Sequence, residues 1–149
     1  MPKRALLDTN VVVHAAVRGS PLHLAAARIL DRALRERGVY CIAPQVLIEF
    51  AAVATRRRFV DPPLDPRDVE RMVDRLYRSR RLSKIYPRRG TVRRAIREGG
   101  ALGVTGAAWY DCFLAATMRD AGVTEIVTEN VTDFDRYSFL TVRRIEEVA

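Results

Sequence analysis

Cysteine is scarce in this chain of 149 residues, with only Cys41 and Cys112 present. Two thiols are too few for a disulfide framework and lack the spacing of a zinc site, so both read as small apolar residues. Histidine is equally scarce, and His14 and His23 show no ligand spacing. No uncharged apolar run approaches the roughly 18 residues of a membrane span. The basic start, MPKRALLDTN, is interrupted by Asp8 before an apolar signal-peptide core could form. Repeats and low-complexity tracts are absent. These absences point to a reducing, cytoplasmic setting. A hydrophobic content of 48% at this length suits one domain covering residues 1–149.

Acidic residues are outnumbered, 18 against 26 Lys and Arg, for a formal charge of +8. That balance suits a polyanionic partner, either nucleic acid or an acidic protein segment. The basic residues are nearly all Arg, which favours phosphate contacts and equally fits a GC-rich genome or a heat-adapted surface. From Arg75 to Arg97 there are ten cations (Arg75, Arg78, Arg80, Arg81, Lys84, Arg88, Arg89, Arg93, Arg94 and Arg97) and no acid between them.

The pattern of elements alternates strand and helix. Residues 4–8 read as a strand ending at a carboxylate, and VVVHAAV after it fits either helix or extended chain. Ser20-Pro21 is expected to open a helix that Gly38 stops near Arg37. A strand at 39–43 follows, then a helix from Pro44 to about Phe59. VDPPLDP is a break, and Asp65-Pro66 restarts a helix to about Arg80. A helix at 89–98 is expected to end at Gly99-Gly100. Thr105 is a candidate cap for a helix over 107–121, with strands at 124–128 and in FLTVRR. Strands separated by helices imply parallel pairing through right-handed crossovers. The expected architecture is therefore a three-layer α/β/α sandwich around a short, mainly parallel sheet. In such sheets ligands bind beyond the carboxyl ends of the strands, where Asp8 and the segment after Val127 would lie.

Three acids stand beside apolar residues, and a fourth lies in a polar segment. Asp8 follows Leu6-Leu7 and precedes Thr9-Asn10, and a cap or turn role competes with a ligand role. Glu49 shares its helical neighbourhood with Gln45, Val46, Ala52 and Val53, so it should be half buried and in need of a donor or cation. The alternative is simple pairing with an Arg. Asp111 lies on a stripe with Ala108, Ala115 and Met118, early in a helix whose dipole should favour the ionised form. TENVTDF offers Thr128, Glu129, Asn130 and Asp133 as a polar loop leaving a strand. Such oxygen donors suit a hard divalent cation.

The segments ALLDTNVVV, PQVLIEFAAV, WYDCFLAATMRDAG and IVTENVTDF, in that order, resemble the PIN-domain family, and specifically the VapC-type ribonuclease toxins. The likeness runs from Arg4 to about Val142. It implies a metal-dependent endoribonuclease, usually dimeric and usually held inactive by an antitoxin. Matched by motif, Asp8, Glu49 and Asp111 are the first three acids. The fourth falls on Asn130 or Asp133, and Asp133 is favoured with Asn130 assisting. Thr9 and Thr128 match hydroxyl residues that orient the acids, and Asn10 stands beside them as further support. The family's helical hairpin corresponds to residues 63–100, where the basic run falls. From its ten cations without an acid, Arg88, Arg89, Arg93 and Arg94 are candidate RNA contacts, beside two other readings, a solvated helical face or a surface for an antitoxin's acidic tail.

On this reading Mg²⁺ or Mn²⁺ is held first by Asp8 and Asp111, with Glu49 and Asp133 ligating a second ion or positioning the attacking water. Packed without metal, the acids would repel, and at least one should have a raised pKa. Three alternatives stand beside it. A catalytically silent RNA-binding module would leave four spaced acids unexplained. An aspartyl-nucleophile phosphatase would need an acid where Asn10 stands. A housekeeping PIN nuclease of RNA processing would lack an antitoxin.

Overall fold

Short apolar segments make the centre of the fold. The computed structural model describes residues 3–149. Strand β1 (Ala5–Leu7) and strand β2 (Tyr40–Ile42) are buried at every position, as expected of strands covered on both faces. With β3 (Ser83–Lys84), β4 (Glu125–Val127) and β5 (Thr141–Arg143) they form one five-stranded sheet in the order β3-β2-β1-β4-β5. Every neighbouring pair is parallel, with Leu6 opposite Cys41 on one side and Ile126 on the other.

The chain winds from β1 outward to β3 and then crosses back to β4 beside β1. The outward connections are helices α1 (Thr9–Ala16), α2 (His23–Arg35), α3 (Pro44–Ala54) and α4 (Pro66–Arg78), which pack on one another. The return connection is α5 (Thr91–Leu102) and α6 (Ala108–Asp120), an antiparallel hairpin against which α7 (Val131–Phe134) rests. Right-handed crossovers in opposite directions place these two groups on opposite faces of the sheet, giving three layers. Helix α8 (Ile145–Val148) closes the chain against α2. Leu6, Leu7, Phe50, Leu114, Met118 and Ile126 are among the fully buried side chains joining the layers. The reversal of winding lies between β1 and β4, where open α/β sheets form a crevice at the strands' carboxyl ends.

Several boundaries differ from the sequence reading, each for a local reason. VVVHAAV is helical, because Asp8 closes the helix start and Val11 and Val12 gain burial in the core. Ser20 serves a turn instead of opening a helix, accepting from Leu22 N at 3.2 Å, and α2 begins at His23. Helix α3 stops at Ala54, short of Phe59, and α4 stops at Arg78. Gly99-Gly100 does not end α5. Gly99 lies where a Cβ would meet the Trp109 ring at 2.5 Å, so its smallness serves packing against α6. The helix ends instead at Gly103, whose φ of 66° is left-handed. The Thr105 side chain does not cap α6, which starts after a turn at Gly106. The segment after Thr128 is helical, as α7, where a polar loop was expected. Strand β3 and helix α8, two and four residues long, fall below what periodicity reveals.

Both cysteines are free and buried. Burial pushes the Cys41 thiol up to about 12, which suits a small core residue. Among the described residues no helix is long and apolar enough to cross a membrane.

Candidate active site

Strands β1 and β4 end side by side, with Leu7 opposite Val127. The next residue of each, Asp8 and Thr128, therefore meets at the crevice. Asp8 N donates to Val127 O at 3.1 Å, which continues the ladder by one step. The Asp8 side chain turns inward and is buried. Its Oδ1 accepts from Thr9 N at 2.8 Å. Its Oδ2 accepts from Thr128 Oγ1 at 2.7 Å and from Asn10 Nδ2 at 3.2 Å. Asp8 is thus the cap of α1 and at the same time a buried carboxylate in a polar cage.

Asn10 and Thr128 tie the two strand exits together. Asn10 Nδ2 also reaches Thr128 Oγ1 at 3.0 Å, and Asn10 Oδ1 accepts from Glu129 N at 3.1 Å. Thr128 Oγ1 receives Asn130 N at 3.0 Å. Glu129 itself is turned toward the next element, accepting from Ile145 N at 2.8 Å.

Pro44 starts α3 immediately after β2, so the first turns of that helix stand at the same sheet edge. Glu49 is half-buried there, and both its oxygens are held. Thr9 Oγ1 donates to Oε2 and Gln45 Nε2 to Oε1, each at 2.9 Å. The donor expected for this carboxylate is therefore a hydroxyl and an amide, and pairing with an Arg is not what holds it. The same Gln45 amide reaches Tyr110 O on α6 at 3.0 Å.

Asp111, in the first turn of α6, comes in from the opposite layer. Burial, and then the charges of Asp133, Asp8 and Glu49, push its carboxyl up to about 7. The helix dipole was expected to favour ionisation, and these stronger opposing effects outweigh it. The Asp8 carboxyl is also raised, first by burial and then by Glu49 and Asp133, against the lowering by its Thr128 and Thr9 hydrogen bonds. The expectation that crowding would raise at least one of the acids is met at two. The charges of Glu49 and Asp133 thus act on both Asp8 and Asp111 at the crevice.

Asp133, on α7, is near enough for its charge to act on Asp8 and Asp111, whereas Asn130 is exposed and joins the network through its backbone N–H. Sequence reasoning missed Arg136, an exposed cation whose charge acts on Asp111 in the opposite direction. It missed Gln45 as a partner of Glu49, although a lone amide one turn before a half-buried acid was a readable signal. Nothing in the sequence singled out Arg136.

The donor chemistry suits a hard divalent cation, since every candidate ligand atom is oxygen and negative charge is concentrated at one place. Among the described residues no three acidic, histidine or cysteine side chains converge as a finished clasp for one ion.

The candidate RNA-contacting arginines lie elsewhere. Arg94 pairs with Asp120 at the last turn of α6, and Arg88 N donates to Thr91 Oγ1 at 2.7 Å, which in turn bonds Asp120. Asp120 is nine residues along α6 from Asp111, about 13 Å at 1.5 Å per residue. Arg89 and Arg93 are exposed and form no salt bridge among the described residues. The ten cations close in sequence are divided between α4, β3, α5 and the loops that join them.

A family model described as PIN domain matches residues 5–140. Ribonuclease VapC24 of Mycobacterium tuberculosis is 26% identical over 145 residues, spanning 91% of this chain and 92% of that protein. Among solved structures, VapC20 of Mycobacterium tuberculosis, described as a sarcin-ricin loop cleaving toxin, superposes with a TM-score of 0.69 at 17% identity, covering 93% of this chain and 98% of that one. A DNA-bound VapBC from Salmonella typhimurium gives 0.64 at 20% identity, covering 95% and 98%. A toxin-antitoxin complex from Klebsiella pneumoniae gives 0.60 at 15% identity, covering 92% and 95%. At these identities the structural likeness bears on the fold alone.

Proposed function

The chain belongs to the PIN domain family, and from that premise we propose that it is a divalent-metal-dependent endoribonuclease acting as the toxin of a toxin-antitoxin pair. The observation that carries this reading is the mutual influence of four acids, drawn from both helical layers and two strand exits, on one crevice. A silent RNA-binding module would gain nothing from gathering negative charge where a polyanion must sit. The toxin reading is supported by the likeness to ribonuclease VapC24 and, in fold, to a toxin-antitoxin complex. An antitoxin on a separate chain is the partner proposed here. A homodimer is proposed as well, with Ile48 and Tyr110, 72% and 63% exposed beside the crevice, as candidate contact residues.

Asp8 and Asp111 would hold Mg²⁺ or Mn²⁺ first, with Glu49 and Asp133 completing the ligand set or orienting the attacking water. When bound, the ion supplies a water more easily deprotonated at neutral pH and stabilises charge on the phosphoryl oxygens. The protein's own share is orientation. Thr9, Asn10 and Thr128 fix the Asp8 carboxylate, and Thr9 with Gln45 fixes Glu49, so these ligands need little rearrangement when RNA arrives. Arg136, as an exposed cation at the rim, is suited to contact a phosphate of the bound strand.

The test is cleavage of RNA together with Mn²⁺ calorimetry on purified variants. Asp8→Asn and Asp111→Asn should each abolish cleavage and weaken Mn²⁺ binding while keeping the far-UV spectrum. Asp133→Asn should harm cleavage more than Asn130→Ala. Near-normal cleavage by either of the first two would overturn the site assignment, and the reverse ranking of the last two would transfer the fourth position to Asn130.

A further inference from the structure

We infer that Gln45 is a positioning residue, which sets Glu49 in register with the helix that carries Asp111. The inference rests on the reading of Glu49 as part of a metal site. Gln45 and Glu49 lie one turn apart on α3, and the amide Nε2 donates both to Glu49 Oε1 at 2.9 Å and to Tyr110 O at 3.0 Å. Tyr110 is the residue before Asp111. One side chain therefore links the second acid to the backbone that presents the third, across the two helical layers.

The orientation of the amide is determined by its neighbours. Both groups facing Nε2 are acceptors, so turning the amide over would set its oxygen against a carboxylate and a carbonyl. Kept as it is, the amide leaves Oε1 buried with no donor from the protein. A buried acceptor without a donor is unfavourable. Local rules broken in this way are expected where a side chain is retained for function. With Thr9 Oγ1 on Oε2, the Gln45 bond on Oε1 completes the restraint of Glu49, since one bond would let the carboxylate swing and two do not. Outer partners of metal-ligating carboxylates commonly change metal affinity or activity by about 10- to 100-fold when removed.

The experiment compares wild type, Gln45→Leu, Gln45→Met, Glu49→Gln and the double variant Gln45→Leu/Glu49→Gln. It reads kcat and KM on an RNA that the wild type cleaves, Mn²⁺ affinity by calorimetry, and the thermal melt. The two Gln45 variants should melt within a few degrees of wild type, because each removes an unsatisfied acceptor along with two bonds. They should bind Mn²⁺ about tenfold more weakly and lose about tenfold in kcat with KM within twofold. In the Glu49→Gln background the Gln45 change should add little, since it acts through Glu49. If either well-folded Gln45 variant keeps wild-type Mn²⁺ affinity and kcat, or if its effect adds in full to that of Glu49→Gln, the positioning role is refuted while the metal site stands. If Glu49→Gln itself binds Mn²⁺ and cleaves as wild type does, the site reading fails and this inference with it.

Discussion

Asp111 sits where three other acids and partial burial all oppose its ionisation, which ties its charge to stability. Its carboxyl titrates near 7 in the fold, against about 3.9 for an unfolded chain. Between those values the unfolded state has released a proton that the folded state still holds, so stability falls as pH rises through this window. The contribution is absent below about pH 4 and reaches its full size above about pH 7. Three units unscreened would be about 4 kcal/mol, and for a half-exposed group solvent screening reduces this to about 1–2 kcal/mol. In buffer with a chelator, Asp111→Asn should therefore stabilise the protein at pH 8 by that amount and leave it unchanged near pH 4. Denaturant melts at both pH values check this, and an equal effect at both would mean that the gain comes from something other than charge. Asp8, Glu49 and Asp111 were singled out because each stands beside apolar residues, and Asp133 because it follows a strand in a run of oxygen donors. Their partners were less readable. Asn10 and Thr128 meet only because β1 and β4, 118 residues apart at that contact, are adjacent strands, and no local pattern records that pairing.

The pairing of α5 with α6 distinguishes two glycines that are neighbours in sequence. A Cβ at Gly99 would sit 2.5 Å from Trp109 Cζ3, 2.8 Å from Cε3 and 3.1 Å from Val104 Cγ2, whereas one at Gly100 would meet nothing within 4 Å. Both lie inside the helix, where alanine is preferred to glycine by about 0.5–1 kcal/mol. Gly100→Ala should accordingly stabilise by about that amount. Gly99→Ala gains the same propensity but forces the indole aside, and overpacking of this kind costs about 1–3 kcal/mol, so the net effect should be destabilising. Chemical denaturation of the two variants gives opposite signs if the Trp109 contact governs the position. The same contact explains why the sequence reading ended this helix early. A glycine pair is the usual mark of a helix end, and only knowledge of the partner helix reveals that one of them is there for close packing. Elements of eight residues or more were otherwise legible, with errors confined to their ends. Burial in the core decided α1, where three successive β-branched valines left helix and strand equally open. The edge strand β3 and the short helices α7 and α8 carry too few residues for any period to register.

Across the whole molecule, the four candidate acids and the arginines before and within α5 lie apart. The acids converge at the carboxyl edge of β1 and β4, while the start of α5 lies beside the last turn of α6, about 13 Å away along that helix. A net charge of +8 favours attraction of RNA to the molecule as a whole. We propose that the exposed arginines of α5 contact RNA extending beyond the cleavage site. Phosphates are about 3.4 Å apart along one strand of a duplex. A tetranucleotide seated on the acids would barely reach these arginines, and a strand of about 20 nucleotides would pass them easily. Arg88 and Arg94 are less suited to a clean test, since Arg94 is engaged with Asp120 and its loss would disturb the Thr91 hydrogen bonds. Arg89 and Arg93 are exposed, and their removal should leave the fold intact. In catalytically dead protein, Arg89→Gln/Arg93→Gln should weaken binding of the long RNA and flatten the plot of log affinity against log salt by about 0.7 per lost contact, leaving the tetranucleotide unaffected. Neutralising all four arginines should weaken long-RNA binding further and lower the melting temperature as well, because Asp120 loses its partner. An unchanged salt slope in the double variant would identify this face as a solvated helix surface and leave the RNA contact to groups nearer the acids, with Arg136 the first to test.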